Sequence, residues 1–337
     1  MKKVAVVGFG FMGRMHYGIW SKLKGVKVAA VCDSNLAQIT QNAKGNISGS
    51  FSGKLPESTK VYADFDEMIA TEKLDVVDIT LPTPLHPVMA IKALSKDLNV
   101  LCEKPMAIDA KTCDKMIKAA AKSKGKLMIA QCVRYFAQYA WLKDLVDSGK
   151  YGKVVAADFT RLSAAPKWTN NGPSWFLDEA KSGGVILDLH LHDTDYIRHV
   201  FGMPKTVSTL ASYHADGWMR HSATNFGYDN MVVTSSSSWA MSSSFAWESG
   251  FRVVFEQAVV VANTHSDKPT LVYPEKGKPF EPKFKAKDGY EEEIKAFLAY
   301  LNGKLGEVPV SPESARDSVA IVDAERKSAK TGKVVTL

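Results

Sequence analysis

An acid and an imidazole one helical turn apart are the residues of this sequence best suited to proton transfer. Asp188, His192 and Asp195 are spaced i, i+4 and i+7, and on a helix of about 100° per residue they share one face. Gly183-Gly184 precedes them and allows the backbone to approach another surface closely. A histidine beside a carboxylate can act as a general base, because the acid orients the ring and stabilises its protonated form.

The same segment permits a second interpretation. Asp188, His190 and His192 would share one face if the segment were extended, and such a cluster can bind Zn²⁺, as in a metal-dependent hydrolase. The apolar residues among them favour the start of a buried helix, and no other His or Cys cluster in the sequence completes a metal site. We therefore predict a helix and no bound metal.

Lys104 is a further group that could take part in chemistry. It lies in Glu103-Lys104-Pro105, directly after an apolar run that reads as a strand. An ammonium at this point can hydrogen-bond a substrate oxygen and stabilise developing alkoxide character. The carboxyl end of such a strand faces the ligand crevice of a doubly wound sheet, which favours a catalytic Lys104 over a surface lysine.

The N-terminal segment Val4–Gly13 has the pattern of a dinucleotide cradle. G-x-G-x-x-G directly follows an apolar strand and opens a helical segment, which is the context that this motif requires. The glycines permit a tight turn and close approach to a pyrophosphate, which then sits at the positive end of the helix. The residues predicted to contact the cofactor here are Gly8, Gly10, Phe11, Met12 and Gly13.

Asp33 ends the second predicted strand, 20 residues beyond Gly13. A carboxylate at this distance can accept hydrogen bonds from a ribose diol. It would repel a 2′-phosphate, and the following Ser34-Asn35 supplies no arginine to bind one. We therefore predict NAD rather than NADP as the cofactor.

Thr83 and His86 lie in the segment Pro82–His86, after the strand that precedes Lys104. The position at the sheet edge favours a role in lining the cofactor. The alternative is that these residues form a turn and cap the next helix.

Residues 1–130 alternate between short apolar runs and helix-like stretches, which predicts an α/β fold with an N-terminal Rossmann domain, a doubly wound parallel sheet. The segment Lys44–Lys60 lacks periodicity and is predicted to be a surface loop. The predicted strands are Val4–Val7, Val26–Val31, Val76–Leu81, Asn99–Cys102 and Leu127–Ala130.

Residues 131–337 are predicted to form a second, C-terminal α/β domain with a large, mostly antiparallel open sheet, for substrate binding and oligomerisation. Small polar side chains on the sheet's outer face could pack against another subunit, so we expect a homodimer or homotetramer. Trp168 and Trp175 precede the helix of His192 and could stack on a sugar or simply pack. The predicted strands are Val154–Leu162, Thr206–Tyr213, Asp229–Trp239, Ser242–Trp247 and Phe251–Ala262.

The composition excludes several other classes of protein. The 337 residues are 45% hydrophobic and 23% charged, which suits two globular domains. The net charge of +7 is scattered along helix-like segments, so we expect no nucleic-acid partner, and no stretch is long and apolar enough for a membrane span. Four cysteines without a C-x-x-C pair indicate a reducing compartment, and we expect a cytoplasmic protein.

Taken jointly, the motifs resemble those of the Gfo/Idh/MocA family of oxidoreductases over nearly the whole chain. The motifs are the Gly8–Gly13 fingerprint, Pro82–His86, Glu103-Lys104-Pro105, and Gly183-Gly184 with Asp188, His192 and Asp195. The resemblance implies hydride exchange between a nicotinamide cofactor and a sugar, inositol or related polyol. It also implies a Rossmann domain followed by an α/β domain with an open sheet.

The resemblance further implies roles for individual residues. Lys104 and His192 would be the catalytic pair, with Asp188 as their partner and Arg134 near the substrate. These roles lead to a mechanistic hypothesis. His192 accepts the proton of the substrate hydroxyl, Lys104 holds the hydroxyl oxygen, and a hydride passes to NAD. His190 stands where many relatives have glycine, which predicts an altered pocket. The resemblance also assigns Thr83, His86 and Glu103 to the cofactor site, and the position of Lys104 predicts that it lies close to the nicotinamide and contacts the cofactor as well.

Two other functions stay open at this point. Some relatives recycle bound NAD while they cleave a glycosidic bond through transient oxidation of the sugar. A non-catalytic, NAD-responsive binding protein is the other possibility, but it would have no need of a proton-transfer set such as Lys104, Asp188 and His192.

Overall fold

The computed structural model describes residues 1–40, 51–166, 175–285 and 288–337. They form two compact units. Unit 1 comprises Met1–Cys132 and Tyr290–Arg316, and unit 2 comprises Val133–Gly289 and Asp317–Leu337.

The chain returns to unit 1 near its C-terminus, which differs from the predicted division into 1–130 and 131–337. The structure groups Tyr290–Arg316 with the Rossmann part of the chain. One reason is a backbone hydrogen bond, since Ile129 N–H donates to the Val310 carbonyl oxygen. A pairing over this separation in sequence leaves no local pattern from which it could be predicted.

Unit 1 is built on six parallel strands. They are β1 (Lys2–Val7), β2 (Val26–Cys32), β3 (Lys60–Tyr62), β4 (Val76–Ile79), β5 (Asn99–Glu103) and β6 (Leu127–Ala130). Their order β3-β2-β1-β4-β5-β6 is that of a Rossmann sheet, which confirms the predicted fold class. Consecutive buried residues such as Val4–Val7 show that the central strands are covered on both faces. The short edge strand β3 was not predicted, because three largely exposed residues carry no apolar signal.

Helices connect these strands, and two of the helices have a side-chain N-cap. They are α1 (Phe11–Trp20), α2 (Leu36–Thr40), α3 (Phe65–Thr71), α4 (His86–Leu94) and α5 (Ala110–Lys122). Asp64 and Asp109 are the N-caps of α3 and α5, and each carboxylate accepts a hydrogen bond from a backbone N–H of the first turn. Of the predicted loop Lys44–Lys60, residues 44–50 lie outside the described residues.

Unit 2 contains a large open sheet. Its strands are β7 (Val154–Ala164), β8 (Thr206–Tyr213), β9 (Met219–Gly227), β10 (Val232–Met241), β11 (Glu248–Phe255), β12 (Ala258–Asn263), β13 (Thr270–Pro274) and β14 (Val335–Thr336). They pair in the order β13-β12-β11-β7-β10-β9-β8-β14. Within the described part of unit 2, only β7 and β10 pair in parallel and the other neighbouring strands are antiparallel, so the predicted mostly antiparallel sheet is confirmed.

Two strand predictions in this unit were wrong. The Ser-rich run does form β10, but Ser242–Trp247 is a turn and irregular segment rather than a strand. The predicted single strand Phe251–Ala262 is a hairpin of β11 and β12, which turns at Glu256 and Gln257. Apolar residues on both sides of the turn conceal it in the sequence.

The remaining helices are α6 (Ala137–Ser148), α7 (Glu179–Ser182), α8 (Leu191–Phe201), α9 (Gly289–Leu301) and α10 (Pro312–Thr331). One π-helical turn, Ile186–His190, leads directly into α8. Among the described residues, no helix combines the length and apolar character needed to cross a membrane.

Candidate active site

The predicted cofactor residues follow the carboxyl ends of four strands of unit 1. Gly8 follows β1, Asp33 follows β2, Thr83 comes after β4, and Lys104 follows β5. Because the strands are parallel, these ends lie at one edge of the sheet. The chain reverses its winding between the neighbouring strands β1 and β4, which is where ligands bind in open α/β sheets.

The three fingerprint glycines have different roles in the structure. Gly8 has φ +88°, a conformation that favours glycine. A Cβ at Gly13 would overlap the Gly8 carbonyl oxygen, so Gly13 is needed for helix α1 to pack closely on β1. A Cβ at Gly10 would meet no atom within 4 Å. The open space at Gly10, at the N-terminus of α1, fits a pyrophosphate.

We expect alanine at these positions to separate cofactor binding from folding. Gly13→Ala should lower the thermal unfolding midpoint, because the added methyl group collides with backbone. Gly10→Ala should leave that midpoint unchanged and weaken NADH binding about tenfold or more, equivalent to about 1.4 kcal/mol. Thermal unfolding and a fluorescence titration with NADH would measure both. A Gly10→Ala variant that binds NADH like the unmodified protein would contradict the assignment.

Asp33 is held at the edge of the sheet by backbone groups. Its Oδ2 accepts a hydrogen bond from Phe9 N–H at 2.7 Å, and its Oδ1 accepts one from Asn35 N–H at 2.9 Å. The carboxylate is partly exposed, so its further lone pairs can accept ribose hydroxyls. Arg14, in the first turns of α1, is buried and donates to the carbonyl oxygens of Phe51 and Ile39. Its guanidinium therefore donates hydrogen bonds to backbone carbonyl groups.

His86 is buried and lies between two backbone carbonyls. Nδ1 is 2.8 Å from the Pro105 oxygen and Nε2 is 2.6 Å from the Leu81 oxygen. Burial outweighs these contacts and lowers the pKa of His86. Thr83 is also buried. Direct contact of either side chain with the cofactor stays a prediction.

Glu103 is the last residue of strand β5 and Lys104 follows it, and the two side chains differ in exposure. Glu103 is 6% exposed, whereas Lys104 is partly exposed, and the Lys104-Pro105 peptide bond is cis. Glu103 Oε2 accepts a hydrogen bond from Lys104 N–H at 3.0 Å. Burial raises the pKa of Glu103, but the neighbouring cation His16, assisted by Lys104, outweighs this and lowers it overall. Glu103 is thus an ionised group that contacts the backbone of Lys104.

Asp188 and His192 lie on the helical segment that the spacing predicted. Asp188 is in the π-helical turn and His192 is in the first turn of α8. Within residues 182–197 these two side chains are partly exposed and all the others are buried. The fold of unit 2 thus presents one acid and one imidazole, four residues apart, in a helical segment that is otherwise buried from residue 182 to residue 197.

His190 faces the interior of unit 2. Its Nδ1 is 2.9 Å from Ser237 Oγ on β10, and its Nε2 is 2.9 Å from Glu325 Oε1 on α10. Burial lowers the pKa of His190, but the Glu325 carboxylate outweighs this and raises it. The ring is 0% exposed, and the expectation that His190 alters the pocket stays a prediction. The extended conformation that would align Asp188, His190 and His192 is also absent from this described segment.

Asp195 does not share the exposure of Asp188 and His192. It is 1% exposed, accepts hydrogen bonds from Arg134 Nε and Nη2 at 2.7 and 2.6 Å, and also accepts one from Ser318 Oγ. Arg134 is 8% exposed, and its role at the substrate stays a prediction. Trp175 begins a short 3₁₀ turn, and its substrate role also stays a prediction, while Trp168 lies outside the described residues.

Sequence reasoning gave no functional role to three buried ionisable residues of unit 1. They are His16 on α1, Asp78 on β4 and Glu293 on α9. Asp78 could have been noticed, because a charged residue inside a four-residue buried strand needs a partner. Glu293 is far away in the sequence, and no local pattern links it to the other two.

Comparison with known proteins gives relatives of low to moderate identity. An inositol 2-dehydrogenase of Salmonella typhimurium (strain LT2) is 32% identical over 195 residues, which cover 57% of this chain and 52% of the relative. A 2,7-anhydro-N-acetylneuraminate hydratase of Mediterraneibacter gnavus is 27% identical over 232 residues, which cover 68% of this chain and 56% of the relative. The matches thus span little more than half the length of these curated relatives.

Solved structures show the same fold. A levoglucosan dehydrogenase in complex with NADH superposes with a TM-score of 0.83 at 19% identity, and the match covers 99% of this chain and 98% of the other. At that identity the likeness concerns the fold alone.

Family models match both parts of the chain. Residues 2–131 match the model described as oxidoreductase family, NAD-binding Rossmann fold, and residues 139–278 match the GFO/IDH/MocA C-terminal domain. Together these models cover well over half of the sequence. The chain therefore belongs to the GFO/IDH/MocA family of oxidoreductases, as its motifs predicted.

Proposed function

We propose that this protein transfers a hydride between a nicotinamide cofactor and a CH–OH group of a sugar, an inositol or a related polyol. The observation that carries the proposal is the exposure of Asp188 and His192 on a helix whose neighbouring residues are all buried. The inositol 2-dehydrogenase that is 32% identical over 57% of this chain supports the choice of substrate class.

In the proposed reaction, His192 accepts the proton of the substrate hydroxyl and Asp188 stabilises the resulting imidazolium. Lys104 donates a hydrogen bond to the same oxygen and offsets its developing negative charge. When bound, the cofactor supplies the carbon that accepts the hydride. Phe11 and Met12 would contribute backbone N–H groups to the pyrophosphate, together with the three glycines of the fingerprint.

We further propose NAD as the preferred cofactor. Asp33 is fixed by two backbone N–H groups at the site predicted for the ribose. Its negative charge would repel a 2′-phosphate, and Arg14 is held by backbone carbonyls. NADP therefore lacks a cationic partner among these residues.

The test is NADH production at 340 nm against a panel of free sugars, inositols and sugar acids. We expect at least one polyol to reduce NAD, with a higher kcat/KM for NAD than for NADP. A higher kcat/KM for NADP would contradict the role of Asp33. Bound NAD that no compound in the panel reduces would contradict the dehydrogenase assignment.

A second candidate function keeps the cofactor bound and returns the hydride to the substrate within each turnover. The relative named as a hydratase favours retaining it, because net addition of water involves no net oxidation. The same residues, Lys104, Asp188 and His192, would serve in this reaction. Consumption of a glycoside or anhydrosugar without accumulation of NADH would distinguish it from the first.

We also propose that the protein is a cytoplasmic homodimer or homotetramer that associates through the open face of the unit 2 sheet. Association is supported by Leu210, Val232 and Tyr273, which are exposed apolar residues of that sheet. A cytoplasmic location is supported by the four cysteines, which are free and buried, as suits a reducing compartment. Light scattering should give two or four times the mass of the chain. Leu210→Lys should lower that mass, and a monomeric unmodified protein would contradict the proposal.

A further inference from the structure

Four ionisable side chains meet in the interior of unit 1. They are His16 on α1, Asp78 on β4, Glu103 on β5 and Glu293 on α9, and all are buried. His16 Nδ1 lies 2.9 Å from Asp78 Oδ2, and His16 Nε2 is in ion-pair contact with Glu103 Oε1 at 3.1 Å. The carboxyl group of Glu293 is within 4.8 Å of the donor atoms of His16 and Glu103.

The contacts of His16 determine its charge. A neutral imidazole carries one N–H, but both ring nitrogens of His16 face carboxylate oxygens. Both contacts are attractive when both nitrogens are protonated. Burial lowers the pKa of His16, but Asp78 and Glu103 outweigh that effect and raise it well above 6.5. The interior of unit 1 thus holds an imidazolium among three carboxyl groups.

Asp78 is fixed from a second direction. Trp20 Nε1 donates a hydrogen bond to Asp78 Oδ2 at 2.7 Å, and Trp20 itself is fully buried. His16 and Trp20 are one turn apart on α1 and therefore lock this helix to strand β4. The N-terminus of the same helix carries the glycine fingerprint.

Glu103 connects His16 to Lys104. One carboxylate oxygen of Glu103 contacts His16 Nε2, and the other accepts the backbone N–H of Lys104 at 3.0 Å. A shift of the Glu103 carboxylate would therefore shift the backbone from which the Lys104 side chain extends. A buried ion pair adds little net stability compared with an apolar replacement, so stability alone gives no strong reason for its presence here.

We propose that His16 is a positioning residue, which as an imidazolium holds Glu103 and, through it, aims Lys104 at the substrate oxygen. The inference rests on the proposed function in its last step only. The charge on His16 and its hold on Glu103 do not depend on the reaction.

The charge state is tested without substrate or cofactor. In protein labelled with 15N-histidine, both ring nitrogens of His16 should be protonated at pH 8, where an ordinary histidine with a pKa near 6.5 is neutral. The 15N signals that disappear in the His16→Gln variant are those of His16. If that variant does not fold, the His16 signals are identified as the ones that shift in Asp78→Asn. A neutral His16 ring at pH 8 would overturn the proposal, and so would a stoichiometric metal ion bound at His16.

The link to Lys104 is tested by a double-mutant cycle with the best polyol of the panel. Because a misplacement of about 1 Å can cost about 10²-fold in rate, His16→Gln should lower kcat on that order. In a Lys104→Met background the same change should lower kcat no further, since the group that it positions is absent. Equal losses in both backgrounds would overturn the positioning role. Glu103→Gln provides the same cycle if His16→Gln does not fold.

A matched control and one further outcome keep the two proposals apart. His214→Gln changes an exposed histidine that pairs with Asp216, and it should leave kcat and NADH affinity unchanged.

If His16 is an imidazolium but no polyol reduces NAD, the proposed function fails while the charge assignment stands. The cycle is then measured with the glycoside or anhydrosugar reaction, and additive losses there would overturn the positioning role.

Discussion

Replacement of His192 by alanine should lower kcat for polyol oxidation by about 10²-fold or more while NADH affinity stays unchanged. The reason is that His192 is the proposed acceptor of the hydroxyl proton and lies in unit 2, whereas the fingerprint and Asp33 belong to unit 1. Steady-state kinetics and a fluorescence titration with NADH measure the two effects separately.

The matched control is His214→Ala, which removes an exposed histidine of the same unit. It should leave kcat unchanged. The lost activity of His192→Ala should be partly restored by added imidazole, because a small base can take the proton where space has been created. An unchanged kcat in His192→Ala would remove His192 from the mechanism, and a parallel loss of NADH binding would indicate a structural role instead.

Replacement of Asp195 by alanine should reduce the free energy of unfolding by about 3–5 kcal/mol. Asp195 and Arg134 form a two-bond ion pair in which both side chains are almost fully buried. Removal of the carboxylate leaves the Arg134 guanidinium without its counter-charge in the interior of unit 2. Since the whole stability of a domain is about 5–15 kcal/mol, urea denaturation should show a large shift of the midpoint.

Two further variants identify the cause of that loss. Asp229→Ala removes the acid of an exposed ion pair with Lys205 in the same unit and should have no measurable effect. The double variant Arg134→Met/Asp195→Ala should recover much of the stability, because no buried charge is then left unpaired. If Asp195→Ala and Asp229→Ala shifted the urea midpoint equally, burial of the pair would have no energetic importance.

Local patterns in the sequence predicted the parts of the fold in which cause and effect are close along the chain. The alternation of apolar runs with helical periodicity in residues 1–130 predicted the Rossmann sheet, because each β-α unit carries its own pattern. The spacing of Asp188 and His192 predicted a shared helical face, since the period of a helix depends only on neighbouring residues. Turn bounds were predicted less well, as the hairpin between β11 and β12 shows.

Only the tertiary structure decided which polar residues are partners. The i, i+4, i+7 spacing places Asp195 on the same predicted helical face as Asp188 and His192. In the structure, however, Asp195 is buried against Arg134, 61 residues away in the sequence. His190 pairs with Glu325 across 135 residues, and His16 joins Asp78 and Glu103 from separate strands. The sequence by itself determined the family, the fold class and the candidate residues. The structure decided which of them are exposed for chemistry and which are buried as ion pairs, because burial and pairing arise from packing between elements that no local period encodes.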